Sequence, residues 1–170
     1  YLEEITFLFL VWNIFLAFIP FALSGWMLKG ALPSTVKWLL LFGCVGFLPN
    51  APYILTDLFH LKYQPTTLLW FDTLLICTYA FNGLWLFLLA LQNLGIFLSR
   101  EIGDRAVWGV QLSLIFLSAF GIYLGRYLRF NSWDVLLHPH ELLWEIGHRL
   151  LHPFQHPLTW GITLLYGSFL

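Results

Sequence analysis

The chain has 170 residues, of which 59% are hydrophobic and only 10% are charged, and its formal net charge is −1. Soluble domains average roughly 45–50% apolar and about 25% charged residues, so these values exclude an ordinary water-soluble domain. The net charge also excludes the basic surface with which proteins bind nucleic acid. The composition predicts an all-α, polytopic transmembrane helix bundle whose surface contacts the lipid bilayer.

Apolar segments long enough to cross a bilayer divide the chain, since a hydrocarbon core of roughly 30 Å needs about 20 helical residues. About five crossings are predicted, over residues 5–27, 34–61, 68–91, 106–128 and 158–170. The second is broken at 49–52, and the fifth reaches the end of the given sequence. We interpret 1–170 as a single integral membrane domain whose two ends are expected to be trimmed.

The second crossing contains the most informative motif, the run LPNAPYILTDLFH from Leu48 to His60. Pro49 and Pro52 each lack an N–H donor and clash with the preceding turn. In hydrocarbon, a broken helix is tolerated only when it is buried in protein or lines a polar cavity. We therefore predict that regular helix stops near Leu48 and that Asn50 hydrogen-bonds to freed backbone or to a neighbouring helix.

Charged side chains are predicted to gather at one membrane face. Asp57 and His60 close the second crossing, and Asp72 opens the third. Arg126 and Arg129 end the fourth. The up-and-down order of the crossings puts all five at the same end, so we expect them to converge in one cavity walled by the proline break. An ionisable residue at membrane depth is a functional hypothesis by default.

Each of these side chains has a functional role and a structural alternative. Arg126 and Arg129 are three residues apart on a predicted helix face, and the guanidinium fork suits a phosphate or an anionic head group. They could equally anchor the helix end or pair with a carboxylate. Asp57, His60 and Asp72 are candidate catalytic acids or bases, or structural ion-pair partners. The candidate ligand-binding set is Asn50, Tyr53, Arg126, Arg129, Asn131 and Asp134, although capping a turn is the simpler role for Asp134.

Polar side chains are rare in the middle of the crossings. Asn13 and Asn82 lie there, and we expect these amides to join helices by hydrogen bonding rather than to contact a ligand. Cys44 and Cys77 lie in apolar segments, where a thiol behaves as a small hydrophobe. The sequence therefore offers no polar path through the bilayer.

Residues 139–152 are predicted to form an amphipathic helix that lies in the membrane interface. Glu141, Glu145, His148 and His152 form one stripe, and leucines and a tryptophan cover the other side. The stripe is expected to be a solvated face. The alternative is a divalent metal site at Glu145 and His148, since a carboxylate and an imidazole one turn apart recur on metal-binding helices.

The basic residues give an orientation. The connectors at 28–37 and 99–105 contain four of them. If Arg126 and Arg129 belong to the site, these connectors face the cytoplasm by the positive-inside rule. The charged face is then extracytoplasmic.

Several runs resemble a known family. The stretches from Leu48 to Leu61 and from Gly125 to Asp134, with the Trp70-Phe71-Asp72 step, resemble the bacterial multi-pass membrane proteins grouped as domain of unknown function 1361. The resemblance extends from about Trp38 to His140. It implies an integral membrane protein of bacterial type, in the inner membrane, and it brings no activity, cofactor or catalytic residue.

Three kinds of function remain open, and we favour the first. It is a charged site at one membrane face that binds an anionic lipid or another phosphate-bearing ligand. The second is a membrane-interface enzyme, metal-dependent or acid–base, acting on a lipid-linked substrate. The third is a transporter or a non-catalytic assembly subunit, because a broken helix often marks a transporter binding site. The sequence specifies neither turnover nor oligomeric state.

Overall fold

The computed structural model describes residues 8–29, 32–63, 69–130 and 134–170. All the regular secondary structure assigned in these ranges is helical, which confirms the all-α class. The α-helices are α1 Leu8–Leu28, α2 Ser34–Phe47, α3 Asn50–Tyr53, α4 Leu69–Ile102, α5 Asp104–Tyr127, α6 Asp134–Leu137, α7 Pro139–Leu151 and α8 Pro157–Phe169. Two 3₁₀ helices cover Ile54–Tyr63 and Pro153–Gln155.

Within the described ranges, four helical stretches are long and apolar enough to cross a membrane, at Leu8–Leu28, Ser34–Phe59, Leu69–Ile102 and Asp104–Tyr127. They correspond to the first four predicted crossings. The predicted fifth begins as α8, whose 13 residues are fewer than the about 20 that a crossing needs. α4 continues well beyond the predicted end at residue 91 and stops at Gly103, whose φ of +81° ends the helix.

The chain forms two compact units, one up to Leu112 and the other from Ser113. In the first unit, α1 packs against α2, α3 and α4. Polar contacts join these helices: the Cys44 thiol donates to the carbonyl of Pro20 at 3.3 Å, and the Asn93 amide donates to the Ser24 hydroxyl at 3.2 Å. The second unit contains the last turns of α5 together with α6, α7 and α8.

The predicted interruption of the second crossing is confirmed, and it is a change of helix type. α2 ends at Phe47, and the amide N–H of Ala51 donates to the carbonyl of Leu48 instead of that of Phe47. The Asn50 side chain donates to the freed Phe47 carbonyl at 3.0 Å. Leu48, Pro49 and Ile54 all keep right-handed helical dihedrals, so the chain continues in a helical conformation through the break.

The interrupted segment packs directly on α4 at a glycine. A β-carbon at Gly83 would lie 2.6 Å from the carbonyl oxygen of Ala51 and 2.8 Å from Cδ1 of Ile54. Small residues let helix backbones approach closely in membranes. Gly83 therefore sets how near the break lies to α4.

Replacing this glycine tests the close contact. Gly83→Ala should lower the free energy of unfolding by about 1–3 kcal/mol, because the added methyl group overpacks a fitted contact. Unfolding in detergent micelles, by an SDS titration or by heating, measures the change. Gly46→Ala is the matched control, since a β-carbon there meets no atom within 4 Å. Equal stability of the two variants would contradict the inferred contact.

Candidate functional site

Asp57 is the most deeply buried acidic side chain that the structure describes, at 1% exposure. The side-chain amide of Asn13 on α1 donates to its Oδ2 at 2.7 Å. Asn13 therefore joins α1 to the 3₁₀ helix that follows the break, as the sequence predicts for an intramembrane asparagine. Asn82 instead donates to the carbonyl of Thr78 in its own helix at 2.8 Å, so the expected link to another helix is wrong for its amide.

The other predicted site residues of the first unit lie on three elements. Asn50 completes the hydrogen bonding of the break, and Tyr53 is half-buried at the end of α3. Asp72 is 7% exposed in the first turn of α4, where a helix N-terminus favours a carboxylate. The backbone of His60 belongs to the 3₁₀ helix, and its side chain lies outside the described residues.

The second unit holds the predicted arginines, but not on one helix face. Arg126 is half-buried in the last turn of α5, whereas Arg129 lies beyond the end of this helix at Tyr127. Arg129 has a φ of +61°, and the N–H of Phe130 donates back to the carbonyl of Leu124 at 3.2 Å. This left-handed helix ending usually requires glycine. The shared helix face expected for the two arginines therefore does not form.

Two further predicted ligand residues follow the end of α5. Asp134 begins α6, and the N–H of His138 donates to its backbone carbonyl at 2.8 Å. Asn131 lies outside the described residues. The expected convergence of Asp57, Asp72 and Arg126 involves side chains of both units and stays a prediction.

A charged cluster that sequence reasoning missed lies in the second unit. Arg149 of α7 is 7% exposed and pairs with the Glu145 carboxylate one turn earlier. Its guanidinium carbon lies 5.7 Å from the ring centre of Tyr123 on α5, within cation–π range. The i, i+4 spacing of Glu145 and Arg149 was the available signal, but the spacing cannot tell that the arginine is buried.

Histidines border this cluster. Nδ1 of His148 lies 2.9 Å from Nε2 of His156, the residue that precedes α8. His152 lies next to His148, with 5.0 Å between ring centres. In the described part of the chain, no group of three or more His, Cys, Asp or Glu side chains is placed to hold a metal ion. Glu145 and His148 have the partners given above, so a divalent metal there stays a prediction from spacing alone.

Most of the predicted apolar side of α7 is exposed, as an interfacial helix requires, but the predicted stripe differs from the expected solvated face. Leu143, Trp144 and Leu151 are 66–77% exposed, so the apolar side faces out of the unit. Glu145 and His148 are half-buried, so the middle of the predicted stripe is not an open, solvated face. The polar side turns inward because it meets Tyr123 and His156 there.

The histidine pair predicts a pH dependence of stability. Removal from water lowers the pKa of His156 below its ordinary 6.5, and the positive charges of Arg149 and His148 lower it further, while Glu145 opposes them. The folded chain then binds fewer protons than the unfolded chain, so its stability rises with pH and falls as the pH drops below about 6.5. Thermal unfolding between pH 7.5 and 5 should show a falling midpoint.

Two variants test whether His156 causes the fall in stability at low pH. His156→Gln should flatten the midpoint against pH, because the group with the lowered pKa is gone. His140→Gln, a change at an exposed residue of the same region, should keep the wild-type slope. An equal slope in wild type and His156→Gln would contradict the role of the histidine pair.

The hydrogen bond of the buried carboxylate gives a second stability test. Asn13→Ala should cost about 1–3 kcal/mol, because Asp57 stays buried and loses a donor. Asn82→Ala, at an exposed position, should change stability by less than about 0.5 kcal/mol. A double-mutant cycle with Asp57→Asn isolates the pair, and a coupling energy of zero would show that the contact adds nothing.

Comparison with known proteins gives a family and no activity. Neither the curated proteins nor the solved structures include a match to this chain. A family model described as "Protein of unknown function (DUF1361)" matches residues 12–170, almost the whole chain. Four of the helices described above are compatible with a membrane protein. Because the match covers almost the whole chain, the chain belongs to this family.

Proposed function

We propose that the protein is an integral membrane protein that binds an anionic, phosphate-bearing group at the end of α5, with Arg126 as the principal contact. The observation that carries this proposal is a half-buried arginine in the last turn of a 24-residue apolar helix. A guanidinium at such a place is suited to bind a phosphate, and an ionisable residue at membrane depth is a functional candidate.

The neighbours of Arg126 support an oxygen-rich ligand. Tyr127 is adjacent in sequence, and its ring stacks on Tyr123 with 5.4 Å between centres. Tyr166 on α8 lies within electrostatic range of Arg126 and Tyr127. Phenol hydroxyls and a guanidinium together supply donors for phosphate oxygens.

The backbone after α5 supports a functional role for this end. A non-glycine residue in the left-handed region costs about 1–2 kcal/mol, and such positions concentrate where function requires them. Arg129 adopts this conformation and exposes a second cation three residues after Arg126. The pair therefore offers one half-buried and one exposed positive charge to a head group.

The exposed apolar side of α7 is a further argument that the end of α5 lies close to a bilayer. Leu143, Trp144, Leu150 and Leu151 are 56–77% exposed on one 13-residue helix. Large contiguous apolar surface of this kind contacts membranes or proteins, and an amphipathic helix with tryptophan and leucine suits the membrane interface. A lipid phosphate would then lie at the depth of the arginines.

Lipid binding tests this function. Purified protein in nanodiscs should retain phosphatidylglycerol in preference to phosphatidylcholine, as measured by native mass spectrometry. Arg126→Gln should weaken phosphatidylglycerol binding about tenfold or more, because a hydrogen bond to a charged group is worth about 1.5–3 kcal/mol. Arg100→Gln, which removes an exposed arginine from the last turn of α4, is the matched control.

The outcomes separate a ligand role from a structural one. If Arg126 only anchors the helix end, Arg126→Gln lowers thermal stability and leaves lipid preference equal to that of Arg100→Gln, which refutes the proposal. Competition with inorganic phosphate distinguishes the source of the anion. Displacement of lipid by millimolar phosphate would point to a soluble phosphate ligand rather than a lipid.

A further inference from the structure

The N-terminus of α8 lies next to a buried arginine. The first amides of a helix have no partner within the helix and carry positive partial charge. No side chain caps this end, since His156 precedes α8 without a capping hydrogen bond and Pro157 opens the helix. Arg149 acts electrostatically on His156, and His156 touches His148, the residue before Arg149. The positive end of α8 therefore faces the cluster on α7.

Three buried side-chain atoms at this place have no hydrogen-bond partner: Nε of Arg149, Oγ1 of Thr159 and Nε1 of Trp160. They are all the buried side-chain atoms without a partner in the described ranges. Arg149 and Thr159 are 7% and 1% exposed. Native structures pair the large majority of buried polar side-chain atoms, and an unsatisfied one costs about 1–3 kcal/mol. Two of the three atoms belong to residues in the first turn of α8, and the third belongs to the arginine of α7.

Contacts with α5 bring two of these three side chains, Arg149 and Trp160, to one face of that helix. The guanidinium of Arg149 lies over Tyr123, and the ring of Trp160 stacks on Phe120 with 6.1 Å between centres. Phe120 and Tyr123 are three residues apart and so share a face of α5. Thr159 is next to Trp160 in the first turns of α8. The unpaired atoms of Arg149 and Trp160 thus belong to side chains that reach α5 about one turn apart.

The chemistry of the three atoms selects the missing group. Arginine Nε–H and tryptophan Nε1–H only donate, and the threonine hydroxyl can donate as well. A helix N-terminus also presents N–H donors. Such a set of hydrogen-bond donors beside a guanidinium suits a negatively charged group with several acceptor oxygens. A phosphate is such a group.

We infer that Arg149, Thr159, Trp160 and the N-terminus of α8 form a phosphate-binding subsite. This subsite goes beyond the proposed function, because its donors lie on α7 and α8 and do not include Arg126. The half-buried pair of His148 and His156 borders it, because His156 directly precedes α8 and His148 directly precedes Arg149.

Glu145 is a competitor built into this subsite. Its carboxylate pairs with Arg149 and is 38% exposed, so it occupies the guanidinium and can turn out to solvent when a phosphate arrives. Removing its charge should therefore strengthen phosphate binding. A purely structural arginine would predict the opposite, because loss of its partner would destabilise the unit and bind nothing new.

Variants that each change one side chain of the subsite and keep Arg149 test the inference. Isothermal titration of the detergent-purified protein with inorganic phosphate, and separately with short-chain phosphatidic acid, gives the affinities. Thr159→Val and Trp160→Phe should each weaken binding about tenfold or more, since each removes one donor to a charged group. Glu145→Gln should tighten binding severalfold. The arm with the higher affinity identifies free phosphate or a lipid phosphate as the source.

Matched controls keep the result specific. Thr163→Val removes a hydroxyl that already donates to the Thr159 carbonyl at 2.8 Å, and Trp108→Phe changes an exposed indole of the first unit. Both should bind phosphate as the wild type does. Without phosphate, Thr159→Val should unfold at the wild-type temperature or above it, because it keeps the side-chain volume and removes an unsatisfied polar group. Trp160→Phe loses ring volume over Phe120, so its binding is compared with the wild type at a temperature at which both are folded.

Three outcomes would overturn the inference: no saturable binding by the wild type, unchanged affinity in Thr159→Val and Trp160→Phe, or weaker binding in Glu145→Gln. The proposed function is judged separately by Arg126→Gln. If Arg126→Gln loses phosphatidylglycerol while the α8 variants behave as wild type, the proposed function stands and the subsite does not exist. If only the α8 variants lose phosphate, the subsite stands and the role of Arg126 is refuted.

Discussion

The first unit depends on hydrogen bonding at a place where prolines prevent it. Pro49 and Pro52 remove two donors inside an apolar stretch, and unpaired backbone groups cost several kcal/mol each in hydrocarbon. The Asn50 side chain supplies one replacement bond to Phe47, and a shift to 3₁₀ geometry supplies others. Because Gly83 has no side chain, the carbonyl of Ala51 can lie directly against it. The position of Asp57 in the following turn is a consequence of this arrangement, and Asn13 fixes it from α1.

A buried charged side chain in each unit has an identified polar partner. In the first unit, the amide of Asn13 supplies Asp57 with a short hydrogen bond at 2.7 Å. In the second, Arg149 has a carboxylate partner of opposite charge and the face of an aromatic ring. A charge pair satisfied by residues of one helix costs little chain entropy to assemble, because the helix already holds the two side chains one turn apart. The buried arginine is therefore compatible with an otherwise apolar outer face of α7.

The sequence predicted the helical class, the long helices and the end of α2 because these depend on local rules: apolar length, missing proline donors and helix propensity. It could not predict that Asn13 pairs with Asp57, since 44 positions separate them and nothing local selects one polar partner over another. Periodicity found the two sides of α7 but not which side faces protein. In water the apolar side would turn inward. Here Leu143 and Trp144 are exposed and Arg149 is buried, which is the arrangement that a lipid surface favours. The shared face of Arg126 and Arg129 failed because it assumed that α5 continues past Tyr127.

The unpaired donors of the second unit are the strongest indication of a binding site in this protein. A cluster selected for stability alone would satisfy its donors, and valine at position 159 would remove one unpaired group at nearly the same side-chain volume. The unit instead leaves the Nε–H of Arg149, the indole N–H of Trp160 and the hydroxyl of Thr159 without hydrogen-bond partners, and the start of α8 has no side-chain cap. Local rules are violated in folded proteins chiefly where a site requires it. The neighbouring Glu145 and the two histidines limit the positive charge of this place until an anion arrives, because the carboxylate holds the guanidinium and the close approach of the rings disfavours a second proton. Donors without partners and a removable counter-charge together describe a site that is prepared for an anion rather than a region that is only packed.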